Sequence, residues 1–356
     1  MRKSIFFIII FFLCNLTLVY GQGFNIPDDH WGLGFGNSTK FSGLRFNFID
    51  RNIEQIVGVN VTIWYDKDFE NHTGSFKGLG LGLPLAAGTA YRSGISFGLL
   101  GVGAGKDLAG LNIGGLAVGA GDNVAGFNIG GLAVGAGKEL AGLNIGGLAV
   151  GAGNNIAGFN AALFAVGAGN NVVGLNLAGL AVGAGENVTG VNFGGLAVGA
   201  GQDVKGINTS FLVVGSGENI VGLSVAGLVV GAAESVTGIN IAGLAVGAGS
   251  TLTGLNAAIL AVGAPNVRGF NAALAVGGEN VTGFSFAPGY FRIENGTMQG
   301  VSISAFNHIK GTQKGLAIGI FNYVNKINGV QIGVLNYVKD NRKGLRLLPL
   351  FNTRFN

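Results

Sequence analysis

Cysteine occurs once in 356 residues, at Cys14, and proline only five times. With Cys14 inside a segment expected to be removed, neither a disulfide framework nor thiolate chemistry is open to the rest of the chain. The few prolines, and glycines that do not recur every third residue, exclude a collagen-like chain. Charge is scarce as well. Asp, Glu, Lys and Arg make up 11%, under half the usual share. Disordered chains combine low hydrophobicity with high charge, and this one is 48% apolar. The histidines, His30, His72 and His308, are far apart. No acid and nucleophile gather around them, so neither a zinc site nor a catalytic triad can be assembled. No catalytic, cofactor-binding or metal-binding residue is assigned, and a non-enzymatic role is expected.

Glycine fills the space that charge leaves, with 69 residues. A sixteen-residue unit of the type GLNIGGLAVGAGxxVx recurs without a gap from Gly94 to Gly254. Looser versions open at Gly43, Gly58 and Gly78, and later ones at Gly269, Gly283, Gly300, Gly315, Gly329 and Gly344, twenty leading glycines in all. A fixed period of this length means one small unit stacked on the next. Strings such as GVGAG at 101–105 invite a nucleotide-loop reading. They recur throughout the array without the helix that such a loop needs, so they are architecture.

Numbered from the leading glycine, positions 2 and 4 are apolar (Leu111 and Ile113, Phe127 and Ile129), as are positions 7 and 9 (Leu116 and Val118, Leu132 and Val134). Spacing of two is the strand period. The odd step from position 4 to position 7 would flip the side chains of a straight strand. The chain must therefore bend near positions 5 and 6, where Gly114-Gly115 and Gly130-Gly131 sit and where Pro288 and Pro349 also fall. A second, polar corner lies at positions 13 and 14 (Asp122-Asn123, Asn170-Asn171, Glu218-Asn219). The expected fold is all-β: a parallel β-solenoid of about twenty coils with a 16-residue period and two short strands per coil. Positions 2, 4, 7, 9 and 15 are expected to point inward. The asparagines at position 3 (Asn112, Asn128, Asn144, Asn160, Asn176, Asn192, Asn208, Asn240, Asn256, Asn271) and the alanines at position 8 are expected to face outward.

Along the chain, residues 1–21 read as a signal peptide, with Arg2-Lys3 before the apolar run Ile5 to Leu13. That run is too short to span a membrane. Residues 22–42 read as an N-terminal cap. Residues 43–93 are irregular coils with a loop insertion at 65–77, 94–268 the regular repeat, and 269–356 irregular, more basic coils with a C-terminal cap. Residues 290–356 carry nine Lys or Arg against Glu294 and Asp340, and residues 100–289 four against eight acids. Such a basic end either faces an acidic surface or is a solvated cap. In the insertion, Asp66, Asp68 and Glu70 alternate like calcium ligands, but Lys67 sits among them and the glycine of a helix-loop site is absent. An ordinary exposed loop is the reading, and it remains the first place to seek recognition.

The late segment GLAIGIFNYVNKINGVQIGVLNYVKDNRKGLRLLPLFNTRF, from Gly315, resembles the bacterial surface repeat-containing proteins known from spirochaetes and Bacteroidetes-type genomes. They share G-[LV]-[QN]-[IL]-G units and an LPLFN-like close. The likeness is good over about 300–356. It is looser over the central array, where asparagine moves from position 8 to position 3. It implies an exported protein at the surface or outer membrane, or outside, of a Gram-negative-type cell, and it brings no catalytic residues. The expected role is scaffold, spacer or adhesion surface. A cell-envelope component, a glycan, or self-association through the alanine and glycine face are the partners to consider, and no nucleic acid. The alternative is an outer-membrane β-barrel with a pore or transport role, each unit forming one strand.

Overall fold

The computed structural model describes residues 23–66 and 72–355. The expected signal peptide, with Cys14, lies outside the described residues, as do residues 67–71 of the insertion, including Asp68 and Glu70. The structure is 74% strand, with a 3-10 turn at Lys343–Leu345. It divides into two units, Met1–Ala152 and Gly153–Asn356. Each is parallel β-solenoid with a period of ~16 residues, about 17 turns in all.

Two strands make one turn, as expected, although not because both apolar pairs face inward. In the first unit Asp107–Gly114 is followed by a bend at Gly115-Leu116 and then by Ala117–Ala120. The next turn lays Asn123–Gly130 on the longer strand and Ala133–Ala136 on the shorter, parallel and in register, with Asn128 beside Asn112 and Val134 beside Val118. The second unit repeats this, with Asn171–Ala178 on Asn155–Ala162 and Ala181–Ala184 on Ala165–Ala168. Parallel pairing of each unit with its copy one repeat away is incompatible with an antiparallel barrel meander.

A third bend falls inside the longer strand, at the leading glycine. Every leading glycine from Gly43 to Gly329 has positive φ, 116° at Gly190 for example. A Cβ on Gly190 would land on the carbonyl oxygen of Gly174 in the adjacent turn. Only glycine combines that backbone with that close approach. The bend turns the side chains on either side of it, at positions 15 and 3, into one interior. Gly344 is the exception. It sits in the 3-10 turn, and Leu347–Arg354, including Pro349, runs antiparallel along Gly329–Tyr337. The segment after Gly344 is therefore an edge strand, not a further coil. Phe24–Asp28 does the same for the first unit, antiparallel to Trp31–Phe35. Open solenoid edges would otherwise invite further strand pairing.

The interior corrects the expected facing. Positions 9 and 15 are buried as expected, in columns such as Val166, Val182, Val198 and Ile156, Val172, Val188. Positions 2, 4 and 7 are not: Leu175, Phe193 and Leu196 are 37%, 48% and 44% exposed. The position-3 asparagines, expected outside, are inside. Asn160 and Asn176 are 0% exposed. Alternation along a strand separates two faces without saying which is inside, and the short sides of this coil decide it by fit. The interior takes valine, asparagine, and glycine or alanine at position 5, and the bulkier leucine and phenylalanine stay out. Burying an amide unpaired would be costly. Here each is paired. Asn112 Nδ2 donates to Asn128 Oδ1 and Asn128 to Asn144, both at 2.9 Å. In the second unit the same bonds run Asn160 to Asn176 to Asn192 to Asn208 at 2.8–2.9 Å, and Asn240 to Asn256 to Asn271 at 3.0 Å. Position 8 faces outward as expected.

Candidate interaction surface

With the asparagines inside, the exterior is sorted by residue type along each turn. Positions 2, 4 and 7 carry aliphatic and aromatic side chains in columns, one above the other. In the second unit the position-7 column is Phe164, Leu180, Leu196, Leu212, Leu228, Leu244 and Leu260. Positions 8 and 10 add only alanine, valine and glycine. From Gly158 to Val262, no residue at positions 1 to 9 of any turn is charged. Monomeric soluble proteins rarely expose contiguous apolar surface on this scale.

Most of the charge sits at the opposite corner, positions 13 and 14, where a second amide ladder runs. Asn171 Nδ2 donates to Asn155 Oδ1 at 2.9 Å, Asn187 to Asn171 at 2.8 Å and Asn219 to Asp203 at 3.0 Å. These bonds point back along the chain, whereas the interior ladder points forward. Lys205 pairs with Asp203 at 2.7 Å, which holds the Asp203 carboxyl below its ordinary range together with the bond from Asn219. In the first unit Lys138 bonds Asp122 at 2.9 Å, and its ammonium titrates above the ordinary lysine value as a result. The turn is thus amphipathic, with one polar corner and an apolar flank.

Toward the end of the chain the small residues of the shorter strand give way to rings. Tyr290 follows Ala275 in register, then Phe306, while Arg292 follows Gly277, then His308. Phe306 and His308 stack at 5.3 Å, Phe306 and Phe321 pack at 5.1 Å, and Tyr323 and Tyr337 stack at 5.2 Å. Tyr290 Oη lies 2.8 Å from His308 Nδ1. Partial burial, then the nearby Lys310 and Arg292, push the His308 imidazole below its usual value. A sugar stacks on an open ring face. These rings spend their faces on one another. The basic residues of this end are partly paired: Arg292 and Lys310 both reach Glu294, and Arg354 reaches Asp340 at 3.2 Å.

The structure also holds a buried charged cluster that the repeat spacing does not single out. In the first unit Arg45 takes the inward position 3, paired in register with Asn60, and its guanidinium meets Asp50 at 2.6 Å with both side chains buried. Asn47 and Thr62 also donate to the Asp50 carboxylate, at 2.8 and 2.7 Å, and Asn60 at 2.9 Å. Burial pushes the Asp50 carboxyl up, but Arg45 and the Thr62 and Asn47 bonds outweigh it, and the net shift is downward. Arg92 lies across the Phe76 ring at 4.3 Å and donates to Ser96 at 2.9 Å. A Cβ on Gly80 would strike its guanidinium, so the glycine at this position 3 makes the space that Arg92 fills. Burial lowers Arg92 to about 10, with Asp50 opposing. The signal was legible: GLRFNFI carries arginine where later units carry asparagine. Every group here is enclosed, so the cluster fixes the early turns and offers no reactive group to a substrate.

The remaining sequence candidates do not converge. Asp66 of the insertion pairs with Arg51 at 3.5 Å. Among the described residues no group of three or more His, Cys, Asp and Glu is placed to hold a metal ion, and no helix is long and apolar enough to cross a membrane. Comparison with protein-family models, curated proteins and solved structures finds no match to this chain.

Proposed function

We propose that this chain is a non-enzymatic, exported surface or envelope repeat protein, a scaffold that presents an extended apolar flank to a partner. The observation that carries the reading is the uncharged run of exposed aliphatic columns over the second unit, facing away from a corner that collects the charge. An exposed apolar surface of this extent on a protein marks a contact site. The export reading rests on the sequence of residues 1–21 and on the likeness of residues 300–356 to bacterial surface repeat proteins.

Protease shaving of intact cells, followed by fractionation of the envelope, tests this. Digestion of the chain on intact cells, with the envelope fraction holding the remainder, is the expected result. Retention of an uncleaved chain in the cytoplasm would overturn the proposal.

A further inference from the structure

The apolar flank of the second unit carries a second period. Over the seven turns led by Gly158 to Gly254, position 6, the outer corner, is glycine in four and a large side chain in three: Leu163, Phe211 and Ile259, exposed by 60%, 74% and 68%. The looser turns that follow, with Leu274, Ile320 and Val334 there, do not keep the order. Leu163, Phe211 and Ile259 are 48 residues apart, since 211 − 163 and 259 − 211 are both 48, which is three turns of sixteen. Between them lie Gly179 and Gly195, then Gly227 and Gly243. At each of these glycines a Cβ would strike the backbone of the preceding turn, so the corner there is bare main chain. The turns with a knob also carry small residues two positions earlier: Ala161, Thr209 and Ala257, against Leu177, Phe193, Val225 and Ile241 in the turns between. A shallow apolar groove follows from this beside Ile259, lined by Ala257, Ala272, Leu274 and Phe286 among others.

At about 4.8 Å per turn, the knobs recur roughly every 14 Å and the two-glycine gaps between them are about 10 Å wide. A phenylalanine ring fits such a gap. The face is therefore corrugated with a fixed pitch, and pitch argues for the occupant. Acyl chains follow any profile and have no use for a repeat of three turns, whereas a surface of the same pitch can interlock with it along its whole length. This chain supplies that surface itself. Seven turns give a strip about 34 Å long that, followed around the bend over positions 2 to 8, covers about 20 Å of backbone. Engaging both flanks of the bend brings it to roughly 700 Å², near the ~800 Å² per partner of a standard stable interface. The patch is uncharged, so two copies meet without burying unpaired charge.

Resting on the reading of this flank as an interaction surface, we propose that its partner is a second copy of the chain, paired face to face about a two-fold axis. The knobs of one protomer then sit in the glycine gaps of the other. Two-fold pairing is the commonest way for one patch to satisfy itself. Phe211, the middle knob, lies near the centre of the contact, where anchors carry most of the binding energy.

Sedimentation equilibrium of the purified full chain tests the proposal, with Phe211→Gly and the triple variant Leu163→Gly, Phe211→Gly, Ile259→Gly beside it. Glycine already occupies this corner in the intervening turns, so the variants should fold, as circular dichroism and thermal unfolding would show. The expected result is a dimer weakened by roughly 30-fold in Phe211→Gly and monomeric in the triple variant. A Phe211→Lys variant gives the same readout by burying a charge. A monomer at all concentrations, a dimer indifferent to the knobs, or flotation with phosphatidylethanolamine–phosphatidylglycerol vesicles in place of dimerisation would each overturn it. Shaving of intact cells reports on export separately, so failure of either proposal is distinguishable from failure of the other.

Discussion

Asn176 donates its Nδ2 to the Oδ1 of Asn192, sixteen residues further on, at 2.8 Å, with both amides buried. That bond, repeated turn after turn, is what lets a chain of ordinary hydrophobicity keep amide groups inside and leucines out. Each asparagine is donor to one neighbour and acceptor from the other, so interrupting the ladder orphans groups on both sides. Asn176→Ala should destabilise the second unit by roughly 2–6 kcal/mol, about 1–3 for each of the two groups left without a partner. Val191→Ala, on the outer face of the next turn, should cost well under half of that. Urea unfolding followed by circular dichroism compares the two.

The ladder has a natural gap. Ser224 stands in register between Asn208 and Asn240, too short to reach either. Asn208 Nδ2, Ser224 Oγ and Asn240 Oδ1 are all buried without a hydrogen-bond partner among the described residues. Ser224→Asn should join the two ladder segments and raise stability by about 1–2 kcal/mol, read as a higher urea midpoint at unchanged slope. A loss of stability would show that the interior at this turn cannot hold a third amide.

Two glycines in neighbouring turns separate backbone demand from mere composition. At Gly190, φ is 116° and a Cβ would strike the Gly174 carbonyl. At Gly183, on the flat side of the turn, the nearest atom to a Cβ is 3.7 Å away. Gly190→Ala should therefore cost upward of about 1 kcal/mol, and Gly183→Ala should be neutral or slightly stabilising. Thermal unfolding of the pair measures the difference.

The enclosed charges of the first unit give that unit an acid limit. The Asp50 carboxyl is held below its unfolded value by Arg45, Thr62 and Asn47 against the opposing effect of burial. In the window between the two values the unfolded chain binds more protons than the folded one. The stability this group contributes is therefore complete above its unfolded value near 3.8 and is lost as pH falls through the depressed folded one. Asp50→Asn removes that dependence and leaves Arg45 buried without its counter-ion, at a cost of about 3–5 kcal/mol at neutral pH. Urea unfolding of wild type and variant between neutral and acid pH should show the curves converging at the acid end.

The repeat and its period were legible because each leaves a mark in sequence spacing, and so was the corner, expected at Gly114-Gly115 and found one residue on, at Gly115-Leu116. So were the buried columns at positions 9 and 15. The facing of positions 2, 3 and 4 was not. Leu111 and Ile113 flank Asn112 in the pattern of a half-buried strand, and hydrophobicity alone puts leucine inside. The outcome depends on two things that a single unit does not contain: the width of the coil, and an identical amide directly above and below. The Arg45–Asp50 pair is legible only in part: Arg45 stands where later units carry asparagine, but its partner leaves no such mark. Asp50 lies in the irregular stretch between two strands, and nothing in its spacing points to the interior. The interaction surface is half visible in the sequence: the spacing marks the small Ala117-type flank as outward but places the larger columns beside it in the core.

Thiol accessibility tests the inside-out arrangement most directly, because the described residues contain no cysteine. In a Cys14→Ser background, Val191→Cys and Asn192→Cys place one thiol each on adjacent residues, 43% and 1% exposed in the native chain. Labelling with a maleimide under native conditions should be fast at position 191 and slow at 192, with equal rates in urea. Fast labelling at 192 with protection at 191 would put the asparagines outside and contradict the structure at its centre.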